Sequence, residues 1–179
     1  MYRLPPEASE AEFRDLLAYW QSKLLPGGVL PGRQHFDPTE LPARHLSQVL
    51  LLDVVRNPAR TPPRRFRFRV AGTAFSTIAG RDVTGLYYDQ VGASERLGSV
   101  LKAMNLVVER RAPVFLASRL AIPTQDYHLV KRLAVPLAQD GHTIDMILAI
   151  WVAERRSAAG RARSDVDLYD GEPVVLEQS

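Results

Sequence analysis

A chain of 179 residues, 46% of them hydrophobic, is long enough to bury roughly two thirds of its unfolded surface, so one domain with short extensions is expected. It has no cysteine, which excludes disulfides, thiolate nucleophiles, cysteine-bearing zinc sites and any chromophore attached through sulfur, and fits a reducing, cytoplasmic compartment. Its 23 basic and 20 acidic residues leave a net charge of only +3, spread over several segments where a nucleic-acid binder would concentrate it.

The opening MYRLPPEASEAEF has early prolines and acids in place of an apolar run, and no stretch reaches about 18 uncharged apolar residues, so neither export nor a membrane span is expected. Ser9 with Glu12 reads as a capping box, and Phe13, Leu16, Leu17, Trp20 and Leu24 follow at helical spacing until Pro26-Gly27-Gly28. Residues 1–28 are therefore an N-terminal amphipathic helix whose apolar stripe needs a cover. Residues 29–48 are too rich in proline for a long element, with Asp37 capping a short helix that begins at Pro38.

VLLLDVV, residues 49–55, is apolar on both faces apart from Asp53, as a central strand would be. After a proline-rich turn, Phe66, Phe68 and Val70 alternate with Arg65, Arg67 and Arg69, the pattern of an edge strand with one wet face. Gly72 permits a sharp exit into a two-turn helix through Phe75 and Ile78, which Gly80 ends, and Arg81 to Gly85 form a second turn. Residues 94–111 give a long helix through Leu97, Val100, Leu101, Met104, Val107 and Val108. Three strands follow, at residues 114–122, 127–137 and 144–153, the last two joined at Asp140-Gly141. The last is apolar on both faces but for Asp145, so it should pair with the first doubly apolar strand in the middle of an antiparallel sheet. Residues 156–179 are expected to be a polar, flexible tail dispensable for folding, with Val174, Val175 and Leu176 the exception able to form a short edge strand.

In this order the elements, together with LPGRQHFDPTELP (30–42), FRVAGTAF (68–75), GRDVTG (80–85) and LAVPLAQDGHTIDMIL (133–148), resemble a PAS domain, and more narrowly a compact bacterial single-domain PAS subfamily. The resemblance covers most of residues 10–153 and implies an α+β fold, a five-stranded antiparallel sheet with short helices and one long helix on one face, preceded by the N-terminal helix. Residues 29–155 would form this PAS-like domain. The implied role is sensing or protein interaction without catalysis, in a cleft framed by the strand-to-helix step at Gly72 and the GRDVTG turn.

Phe68, Val70, Phe75, Ile78, Met104, Val108 and Met146 are expected to line that cleft, with Arg81 at its mouth either binding a polar ligand group or simply bracing the turn beside Asp82. Phe13, Leu16, Leu17 and Trp20 are assigned to a homodimer contact, the alternative being that they cap the chain's own sheet. His35, His45 and His142 lie away from the expected cleft and only His128 is near it, which argues against haem or another metal and leaves noncovalent flavin open. Asp53 and Asp145 are expected to bond neighbouring arginines. No nucleophile elbow or phosphate-cradling loop is present, so no enzyme is expected. The sequence thus points to a sensory module that binds a small ligand noncovalently, a signalling partner protein, or both. A ligand-free dimerisation scaffold and a nucleic-acid binder using the arginine-rich edge are the alternatives.

Overall fold

In a computed structural model, which describes residues 1–91, 94–121, 127–156 and 171–178, the two doubly apolar runs lie side by side. Val49–Arg56 (β1) runs antiparallel to Met146–Arg156 (β5), with Leu51 opposite Leu148 and Leu52 opposite Ile147. Arg64–Ala71 (β2) flanks β1 on one side, and Tyr127–Leu137 (β4) and Val114–Ala121 (β3) continue beyond β5 on the other. The fold is the expected α+β, PAS-like one, with one strand more than foreseen. Val174–Val175 (β6) pairs with Val114 and Phe115 of β3, so the sheet order is β2-β1-β5-β4-β3-β6. The C-terminal segment is thus anchored at its far end: Leu176 is buried and its N–H donates to the Pro113 carbonyl at 2.8 Å. The exception in the tail is what the chain uses, because β3 would otherwise leave a row of unpaired backbone groups beside the buried Val114 and Phe115.

Ala11–Ser22 (α1) lies across one face of the sheet, which we call the outer face. Phe13 meets Phe115 edge-on at 5.6 Å, and the Trp20 indole donates to the Pro136 carbonyl at 2.8 Å. The helix begins one residue later than the capping box implies: Glu10 is its N-cap and no side chain caps it. Phe13, Leu16, Leu17 and Trp20 are all buried within the chain's own core, so the stripe assigned to a dimer contact is instead the inner lining of α1 against its own sheet. The physical reason is that both faces of β1 and β5 are apolar, and the second face needs this cover.

Thr73–Ala79 (α2) and Ser94–Arg110 (α3) belong to the opposite, inner face. Gly72 is the N-cap of α2, and any side chain there would collide with the Ser47 carbonyl, so the sharp exit depends on glycine for close approach. Gly80 ends the helix at φ 70°, in the left-handed region. From α3, Val100, Ala103, Met104 and Val107 are buried, and the helix packs on β3 and β4. Between β4 and β5, Asp140 accepts the N–H groups of His142 and Thr143 at 2.8 and 2.6 Å, which holds its carboxyl down to about 2.

Candidate functional site

Residues directly opposite one another in an antiparallel pair point to the same side, so the register assigns each side chain to a face. Leu52, Phe68 and Ile147 share the inner face, and there Phe68 lies between two aromatic rings, stacked on Tyr88 at 4.9 Å and 5.3 Å from Phe75 of α2. Phe75 in turn meets Trp151 edge-on at 5.7 Å, so an aromatic row runs from β2 under α2 to β5. Met104 is buried, while Phe75, Ile78 and Val108 are half-buried against the same core. No residue of α2 is fully buried, so this short helix covers the row without sealing it.

Val70 and Met146, expected in the same cleft, lie on the outer face. A register shift between Leu51 and Leu52 marks a bulge in β2, which places Val70 opposite Leu51 although Phe68 is opposite Leu52. One extra residue reverses the alternation, so extending the Phe66–Phe68 face to Val70 fails. Met146 is opposite Asp53 and Leu137, on the α1 side. The strand carries apolar residues on both faces, and the set Met146, Leu148, Ile150 is the one that α1 covers. Arg81 is exposed and its guanidinium donates to the Gln90 carbonyl at 3.1 Å, while Asp82 accepts from the Thr84 N–H at 2.9 Å, the bracing arrangement of a turn.

The arginine edge is paired within the chain. Arg67 and Arg69 both reach Asp53, at 2.8 and 2.7 Å, and Arg65 grips Asp89 through two nitrogens at 2.8 and 2.6 Å with its guanidinium 3.6 Å over the Tyr87 ring. These cations are committed to acids of the chain itself, as expected for Asp53. Asp145 differs, since its side chain accepts from the Gln139 N–H at 3.3 Å. His45 is 1% exposed and bonds Asp15 at 2.8 Å, His35 accepts from the Gly32 N–H at 3.0 Å, and His142 is exposed. The His128 side chain lies outside the described residues.

The sequence reading missed Arg132, Ser118 and Trp151. Arg132 is opposite Trp151 and therefore also faces inward, yet it is only 6% exposed. Its Nη1 donates to the Ser118 hydroxyl at 2.7 Å, and neither its Nε nor the Trp151 indole nitrogen has a hydrogen-bond partner among the described residues. A signal was available in the sequence: Lys131 and Arg132 are consecutive in a strand, so they point to opposite faces of a sheet that is apolar on both. Lys131 takes the outer one, paired with Glu10 at 2.6 Å.

On the outer face a groove of about 250 Å³ opens between α1 and the sheet, lined among others by Tyr19, Phe36, Leu46, Leu51, Val70 and Leu148. Val70 is 47% and Leu46 38% exposed there. Desolvation, with a hydrogen bond to Glu40 next in size, holds the Tyr19 hydroxyl up to about 12.

Comparison with known families gives a match to the PAS domain model over residues 8–152, most of the chain. No curated protein matches the chain. No solved structure matches it either. Among the described residues, no helix is long and apolar enough to cross a membrane.

Proposed function

This chain belongs to the PAS domain family, and from that premise we propose that it is a sensory module that holds a small molecule noncovalently on the inner face of its sheet and passes occupancy to a signalling partner. The observation that carries this reading is the row Phe68, Phe75, Trp151, in which α2 contributes Phe75 but has no fully buried residue, an apolar surface under an incompletely buried cover. The reading assigns the module no catalytic step and takes the cytoplasm as its compartment, on the chain's lack of cysteine. Native mass spectrometry of the purified protein is the test. A bound mass that is lost on denaturation is expected, without the absorption of haem or flavin. A protein that is empty, and that a bulky Met104→Trp strongly destabilises, would show the inner layer to be a filled core.

A second reading is favoured by the outer groove. An apolar hollow flanked by the exposed Val70 and Leu46 suits a scaffold that docks a partner protein or a second copy without any ligand. Val70→Glu separates the two: it abolishes partner binding or self-association under the scaffold reading and leaves small-molecule occupancy intact under the first.

A further inference from the structure

Arg132 is a cation in the interior whose hydrogen bonds among the described residues run to two neutral oxygens, the Ser118 hydroxyl at 2.7 Å and the Val130 carbonyl at 3.5 Å. No described carboxylate is paired with it. A guanidinium taken out of water is costly unless an opposite charge accompanies it, and a buried donor without an acceptor adds to that cost. Here a second orphan stands directly across the strand pair, because Trp151 is opposite Arg132 and its buried indole nitrogen likewise has no partner among the described residues. Both residues lie on the inner face, which α2 and α3 cover, and Phe75 of α2 rests on the Trp151 ring.

We infer that the inner face takes an organic monocarboxylate, whose two oxygens accept from Arg132 Nε and Trp151 Nε1 while its apolar body lies along Phe75 and Phe68; this rests on the ligand-binding reading above. The chemistry selects the class. A carboxylate supplies both the charge that Arg132 lacks and acceptor lone pairs for two N–H groups, and an arginine fork matches its planar edge. One guanidinium balances one negative charge. A phosphate dianion would bring excess charge and further oxygens against aromatic walls that cannot bond them.

The test is titration calorimetry and thermal shift at constant ionic strength with benzoate and acetate, against inorganic phosphate and neutral benzamide. Benzoate is expected to bind saturably, to raise the melting temperature and to change Trp151 fluorescence. Arg132→Gln should weaken it by at least about tenfold, and Trp151→Phe, which keeps the ring contact and removes one donor, by a smaller factor. Should Arg132→Gln fail to fold, Trp151→Phe and Ser118→Ala carry the comparison. The inference is overturned if neither carboxylate binds, if phosphate or benzamide binds as well as benzoate, or if the Arg132 and Trp151 variants bind benzoate undiminished. A neutral molecule found by native mass spectrometry in a protein deaf to carboxylates would sink this inference and leave the sensor reading standing. An empty protein in which Arg132→Met lowers the melting temperature would sink both, since the charge would then be satisfied within the chain.

Discussion

Asp53 shows how a single carboxylate in a central strand closes an exposed charge pattern. Its two oxygens divide between Arg67, which is directly opposite it, and Arg69, the residue left without an opposite partner where the register of β2 shifts. The Asp53 side chain is 11% exposed but both arginine side chains are about half exposed, so solvent screens much of the attraction. Asp53→Asn should therefore cost about 1 kcal/mol, a deficit that urea unfolding would show shrinking as salt is raised. An unchanged midpoint at low salt would mean that the strand tolerates two unpaired arginines. Asp140 gives the pH dependence. Hydrogen bonds from Thr143 and His142 lower its pKa from 3.8 to about 2, so its contribution to stability is present above 3.8 and is lost as pH falls through about 2. Asp140→Asn should flatten the acid limb of a thermal-melt series over that window, and an identical limb in the variant would contradict the assignment.

At the scale of elements, the strands and long helix were legible because each carries its own period: Val49–Arg56 and Tyr127–Leu137 fall almost where alternation and the flanking turns put them, and α3 ends where Ala112-Pro113 predicts. What alternation does not contain is which of two apolar faces meets which helix, which is why Met146 changed sides, nor where a bulge will reverse it, which is why Val70 did. Nor does it show how far a short apolar run such as Val174–Leu176 must travel to find an edge. That run pairs with β3 across some sixty residues of sequence, a contact set by the open edge and not by local propensity. Leu176→Ala should cost about 2 kcal/mol, the low end for a buried leucine, because the site is at the sheet margin. Truncation after Arg156 removes the whole strand and should lower the melting temperature by about 5 °C or more, the reverse of a dispensable tail. If the truncated protein melts with the full chain, β6 contributes nothing to stability.

For the whole molecule the decisive feature is a sheet apolar on two sides. An antiparallel sheet commonly leaves one face to water, but here α2 and α3 cover one face and α1 the other, so the N-terminal helix is as much a part of the core as the strands. This settles how a substitution in α1 should behave. Were Leu17 at a contact between two copies, replacing it would shift an association equilibrium, and the apparent stability of the variant would recover as protein concentration rose. Leu17 is instead buried beneath its own helix, beside Phe13, Leu16 and Trp20. Leu17→Ala should therefore remove roughly 2 to 4 kcal/mol from unfolding, with a midpoint that does not move over about a hundredfold range of protein concentration. Trp20, whose indole is fixed to the Pro136 carbonyl across the helix-sheet boundary, reports the loss directly as a red shift in its fluorescence when α1 comes away. A midpoint that climbs with concentration would return the stripe to an interface between copies.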